Sequence, residues 1–149
     1  MTREPSYSRA MAAPALLASA IIACTAPTVH DGDTLRCGKT SIRLFGVDAP
    51  EVRRGKTPAE PLAYEARDLL FSLTRERVGC RVVTQDRYGR QVAKCWSKAS
   101  PDLNAAMIRS GLATEWRRYS KGAYGAVQDE ARIAGRGTWA AGATRRPLR

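Results

Sequence analysis

Apolar and polar positions along this chain follow two periods in turn. Residues 21–29 are apolar and β-branched and predict a strand, with Pro27 marking an edge or a bulge. Asp31-Gly32 is a hairpin-turn signal. Residues 34–37 and 40–47 predict two further strands, the second carrying Ile42, Leu44, Phe45 and Val47. A polar, basic loop runs from Pro50 to Pro61. Over residues 60–77 the period changes, and Leu62, Ala66, Leu69, Leu70 and Leu73 fall on one helical stripe. Two alternating runs between residues 80 and 96 then flank Asp86-Arg87-Tyr88-Gly89, which predicts a hairpin. With Asp86 facing Gly89, counting outward sets Cys80 opposite Cys95. A short helix over 101–110 opens at Pro101-Asp102 and stops at Gly111, and a weaker one covers 122–134. Five short strands with helices interleaved late predict a small β-barrel of the OB-fold type, with about three α-helices packed outside.

The first twenty residues do not belong to that pattern. Arg3 and Arg9 precede an apolar stretch over residues 10–23 that contains Ala18-Ser19-Ala20. This is the layout of a secretory signal peptide, and the stretch, interrupted by Pro14, is too short to cross a membrane as a helix. The expected organisation is a leader over 1–20, a folded domain over 21–140 and a free basic tail over 141–149, in a secreted or periplasmic protein. Ile21-Ile22-Ala23-Cys24 also reads as a lipoprotein box with Cys24 lipidated, but a strand beginning there leaves little tether. Cys24, Cys37, Cys80 and Cys95 contain no Cys-x-x-Cys pair, and His30, the one histidine, cannot complete a zinc set with them. Exported chains with an even cysteine count form disulfides. The hairpin register pairs Cys80 with Cys95, and the rough symmetry of Cys24 and Cys37 about Asp31-Gly32 pairs those two.

Composition adds a partner class. The 149 residues carry 25 Lys and Arg against 14 Asp and Glu, a formal charge of +11. Nucleic acid is the first polyanion to consider for such a chain, beside simple solubility. The length fits one domain, and 44% hydrophobic with 26% charged residues excludes wholesale disorder.

Three clusters carry candidate chemistry. They are Asp31-Gly32-Asp33-Thr34, then Arg43 with Asp48-Ala49-Pro50-Glu51, then Asp86-Arg87-Tyr88-Gly89-Arg90. Each alone reads equally as turn chemistry or as a solvated strand end. Together they hold a fuller set. Asp33 and Asp48 are hard oxygen ligands suited to Ca²⁺ or Mg²⁺. Arg43 and Arg90 can grip a phosphate and stabilise its transition state, and Glu51 can take a proton from an attacking water. That is sufficient for phosphodiester hydrolysis.

The three clusters, in this order, resemble those of the thermonuclease (micrococcal or staphylococcal nuclease) family, as do Gly111-Leu112-Ala113 and Gly137-Thr138-Trp139. The resemblance covers residues 24–139. It implies a five-stranded OB-fold barrel with three helices and a Ca²⁺-dependent nuclease acting on DNA or RNA and leaving 3′-phosphate ends. It makes Asp33 and Asp48 the calcium carboxylates, joined by the backbone carbonyl of Ala49, where the family often has threonine. It makes Arg43 and Arg90 the catalytic arginines and Glu51 the general base, with Arg87 and Tyr88 on a terminal phosphate and Asp31 in support. The loop after Glu51, with Arg53, Arg54 and Lys56, departs from the family in its few aromatics, so no substrate contacts carry over there. Tyr119 and Tyr124 stand equally for base stacking or packing. The competing reading is a catalytically silent OB module that binds single strands. Such a module is expected to lack Arg43, Glu51 or Arg90, and all three are present. Nothing in the chain requires a protein partner or more than a monomer.

Overall fold

A computed structural model describes residues 20–144 and 146–149. The expected leader, but for Ala20, lies outside them. The strands are β1 (Ile21–Thr25), β2 (Thr28–Asp31), β3 (Thr34–Cys37), β4 (Thr40–Leu44), β5 (Val47–Asp48), β6 (Arg77–Gln85), β7 (Gln91–Ser97) and β8 (Thr114–Glu115). Six of them form one sheet in the order β1-β6-β7-β4-β3-β2, and β5 pairs with β8 separately.

The strand expected over 21–29 is a run bent at its middle. Ala26 takes φ 49°, in the left-handed region, just before Pro27, which has no amide to donate. The bend lets β1 pair with β6 while β2 pairs with β3. The two edges of the sheet are therefore halves of one chain segment, and five segments curl into the expected OB-type barrel. The run over 40–47 also divides. Gly46, at φ 69°, turns β5 away to pair with β8, and any Cβ there would lie 2.8 Å from the Ser120 Cβ.

The helices are α1 (Ala63–Leu73), α2 (Leu103–Arg109), α3 (Arg117–Ser120) and α4 (Gly125–Ala134), followed by a 3-10 turn at Gly137–Trp139. Helix α1 is shorter than the apolar stripe suggests. Leu62 is left-handed at its start, and the Thr74 hydroxyl donates back to the Leu70 carbonyl at 2.8 Å at its end. The single turn α3 carries no apolar period and was not expected.

Leu35, Ile42, Leu44, Leu70, Val78, Leu103, Met107 and Ile108 fill the core between barrel and helices. Both disulfides are present. Cys80–Cys95 joins directly opposed residues of β6 and β7, and Cys24–Cys37 ties β1 to β3 across the barrel's closure. Each closes a short loop and contributes about 3 kcal/mol in the chain-entropy account. The Cys24 sulfur is thereby committed to Cys37, which removes the lipidated alternative in this structure. Among the described residues no helix is long and apolar enough to cross a membrane.

Asn104 locks α2 onto the barrel. Its side chain is fully buried, accepts from the Cys95 amide at 3.0 Å, and donates to the Phe45 and Ala93 carbonyls at 2.9 and 3.1 Å. Asn104→Ala is expected to cost about 2–3 kcal/mol, because the buried Cys95 amide and the part-buried Phe45 carbonyl lose this partner, while the Ala93 carbonyl keeps the Phe45 amide. Urea unfolding of the two proteins checks this; a loss below about 1 kcal/mol would show that the contact is dispensable.

Candidate active site

The first acidic cluster is shaped by a bulge and a glycine. The β2–β3 register shifts between Val29 and Asp31, and both Asp31 and Asp33 are buried. Between them, a Cβ on Gly32 would lie 2.6 Å from the Ala66 Cβ and 3.1 Å from the Ala49 Cβ. The missing side chain lets α1 and residue 49 close over the turn.

Asp33, Arg43, Asp48 and Ala49 come together at that place. Arg43, paired with Thr34 in the β3–β4 register, sets Nη1 2.7 Å from Asp33 Oδ2 and Nη2 4.0 Å from Asp48 Oδ1. The Ala49 amide donates to Asp33 Oδ2 at 2.8 Å, and the Thr34 hydroxyl donates to Oδ1 at 2.9 Å. Arg43 is 8% exposed and lies 5.3 Å from the Trp116 ring centroid. Burial pushes the Asp33 carboxyl above the usual carboxylate range, against the opposing pull of Arg43, the Ala49 amide and the Thr34 hydroxyl.

Asp31 supports the segment that carries Glu51. It accepts from the Val52 amide at 3.0 Å and from Arg54 at 3.4 Å, so the basic loop is tied to the turn. The Glu51 amide donates to Glu60 Oε2 at 3.4 Å, while the Glu51 carboxylate is about half exposed, with Arg54 Nε 3.9 Å away. Glu51 thus stands at the rim of the acidic cluster without touching it.

Arg90 lies at the hairpin tip, one residue ahead of β7. β4 and β7 run parallel with Arg43 beside Val92, so period-two alternation puts Arg90 on the same side of the sheet as Arg43. Its Nε donates to Asp86 Oδ2 at 2.7 Å. Burial opposes ionisation of Asp86, but hydrogen bonds from Arg90 and from the Arg90 and Tyr88 amides outweigh it and hold the carboxyl below its ordinary value. Tyr88 is exposed, with the Arg87 and Arg90 guanidiniums 4.9 and 5.5 Å from its ring centroid. Arg87, Tyr88 and Arg90 form one group at the tip.

The structure chooses between the two readings of Tyr124 and corrects the expectation of a free tail. Tyr124 is 7% exposed and packs in the core, where burial pushes its hydroxyl up to about 12, so it offers no free face to a base. Tyr119 does remain half exposed, edge-on to Trp116 at 4.6 Å. The basic tail is not free either: Arg146 Nη2 lies 3.0 Å from Asp48 Oδ2 and Nη1 lies 2.9 Å from Glu60 Oε2. Glu60, Trp116, Arg146 and Arg149 are site residues that sequence reasoning passed over. No period or motif marks Glu60, Arg146 and Arg149, whose charge alone was visible, and Trp116 read as a packing residue.

The residues present fit a hard cation. Two buried carboxylates face one buried guanidinium, and Asp48 Oδ2 is buried without a hydrogen bond. Among the described residues no three His, Cys, Asp or Glu side chains cluster as a ligand set. Backbone oxygen and water must then complete the shell, as they commonly do for Ca²⁺ and Mg²⁺.

Several known proteins resemble this chain. The chain is 33% identical over 126 residues to the succinoglycan biosynthesis protein ExoI of Rhizobium meliloti, covering 76% of this chain and 63% of that protein. It is 35% identical over 97 residues to a probable endonuclease lcl3 of Pyrenophora tritici-repentis, covering 62% of this chain and 36% of that one. It is 39% identical over 98 residues to a probable endonuclease lcl3 of Talaromyces marneffei, covering 60% and 28%. The chain therefore spans less than two thirds of these relatives' lengths. The model of the family described as staphylococcal nuclease homologue matches residues 41–141, from Arg43 through Arg90 to the closing 3-10 turn, and the chain belongs to that family.

Proposed function

We propose that this domain hydrolyses phosphodiester bonds of DNA or RNA with Ca²⁺ held by Asp33, Asp48 and the Ala49 carbonyl, leaving 3′-phosphate ends. The observation that carries the reading is the convergence of Asp33, Arg43 and Asp48 in one buried cluster, with Glu51 anchored at its rim by Asp31 and Glu60. The names of the fungal relatives point the same way. A cation bound there would polarise a phosphoryl oxygen.

The protein's own groups do the rest. Arg43, fixed by Asp33 and Trp116, grips the phosphate and keeps its geometry as charge develops. Arg90, oriented by Asp86, donates to a second phosphoryl oxygen. The Glu51 carboxylate accepts a proton from a water whose oxygen bonds to phosphorus. The bond to the 5′ oxygen breaks, and that oxygen leaves with a proton from solvent, so the phosphate stays on the 3′ side. Arg87 and Tyr88 meet a terminal phosphate at the hairpin tip. The two disulfides support export to an oxidising compartment.

The test is cleavage of labelled single-stranded DNA, duplex DNA and RNA, each with Ca²⁺, with Mg²⁺ and with a chelator, followed by end-group analysis. Cleavage with Ca²⁺, lost on chelation and leaving 3′-phosphate, is the expected result. Tight binding without cleavage in any metal would leave a silent OB module instead. Binding to a single strand is expected to fall linearly with log salt, with a slope of about −0.7 per phosphate neutralised. A flat dependence would contradict a phosphate-binding surface.

A further inference from the structure

The segment that ends the chain lies across the mouth of the acidic cluster. Thr144, Arg146, Pro147 and Arg149, with Glu60 and Pro61, border an open cleft of about 460 Å³. Three elements anchor the segment. Arg146 bridges Asp48 and Glu60 at 3.0 and 2.9 Å and is largely covered. The Arg149 guanidinium lies 5.4 Å from the Trp116 centroid, with Nε 3.8 Å from Asp48 Oδ2. The Arg149 carbonyl accepts from the Arg117 amide at 3.2 Å.

Charge explains the docking. Asp33 and Asp48 outnumber Arg43 by one negative charge, and a buried carboxylate needs compensation. Arg146 supplies it at Asp48 Oδ2, the oxygen with no hydrogen bond. A Ca²⁺ ion on that oxygen would sit at about 2.3–2.6 Å. It would then crowd a guanidinium nitrogen already at 3.0 Å, and two positive charges at such range repel strongly in a buried setting.

We infer that residues 146–149 are a built-in counter-cation: Arg146 fills the place at Asp48 when no metal is bound and must leave when one enters. The tail thereby sets the cation affinity of the site and holds the metal-free protein closed to substrate. This rests on the cation reading proposed above. Arg149, more exposed and further from Asp48, contributes less to the competition and mainly seats the segment on Trp116.

The test compares the full chain with Arg146→Ala and with a chain ending at residue 140. Calorimetry measures Ca²⁺ affinity, and terbium luminescence sensitised by the tryptophans measures occupancy, neither needing turnover. The Ca²⁺ Kd is expected to fall about tenfold in both variants, within the usual span of coupling between linked sites. Arg146→Lys, which keeps the charge, should fall less. In chelator, Arg146→Ala should melt below the full chain, since Asp48 has lost its counter-charge. Saturating Ca²⁺ should bring the two together. An unchanged or weaker Ca²⁺ affinity in Arg146→Ala, with the full chain binding Ca²⁺ normally, would overturn the competition alone. Failure of every form to bind Ca²⁺ would overturn the cation reading and this inference with it.

Discussion

Glu51→Gln is expected to lower phosphodiester turnover by about 10²- to 10⁴-fold, the usual contribution of a positioned general base. Binding of a single strand and the melting temperature should stay as they were. The reason for the split lies in how Glu51 is held. Its backbone is fixed through its own amide and through Val52, while its carboxylate is about half exposed and, among the described residues, pairs with Arg54 at 3.9 Å. An exposed ion pair at that distance adds little to stability. Glutamine keeps the shape and loses only the ability to take a proton at neutral pH. Single-turnover cleavage at saturating Ca²⁺ is the measurement, and an undiminished rate would remove Glu51 from its assigned role.

Arg43→Ala should strike both stability and rate. Removing one partner of a buried ion pair costs about 3–5 kcal/mol, because the remaining charge is stranded. Here two carboxylates are left, both buried, against Arg146 and the more distant, half-exposed Arg149. The rate should also fall about 10²- to 10³-fold through loss of a donor to the transition state. Ca²⁺ should restore part of the stability, since it replaces the lost positive charge, but little of the rate. Urea titrations with Ca²⁺ and with chelator separate the two effects. Arg43→Lys should recover stability better than rate, because the charge returns without the planar fork. Equal stability of Arg43→Ala and the parent would mean that the cluster is wetter than its burial indicates.

What the chain disclosed in advance is what local rules encode. The 80–95 register followed from one turn and two alternating runs, and the structure has Cys80 opposite Cys95. The barrel followed from five β-branched segments. The break at Ala26 was invisible because alanine gives no warning of a positive φ, and Pro27 announced only that something bends nearby. Helix α1 was overextended because Leu62 keeps the apolar period ahead of the helical backbone, and Thr74-Arg75-Glu76-Arg77 holds no glycine or proline to mark the stop after Leu73. The acidic cluster was legible as residue types at strand ends, but its assembly was not: Asp33, Arg43 and Asp48 meet through barrel geometry. The docked tail was beyond reach for the same reason. An ion pair between Arg146 and Asp48 spans most of the domain and leaves no trace in any local pattern.

The Cys24–Cys37 bond encircles more than a barrel seam. Asp31, Gly32 and Asp33 lie inside the 13-residue separation it closes, so the turn that presents the first carboxylates is the crown of a covalent ring. Such a ring cannot fray from its open end as an ordinary hairpin does. Two mutually repelling carboxylates can therefore sit at its crown without the charge they carry prising the turn apart. On the cation reading proposed above, the ring would also let a metal enter and leave while the floor of the site keeps one shape.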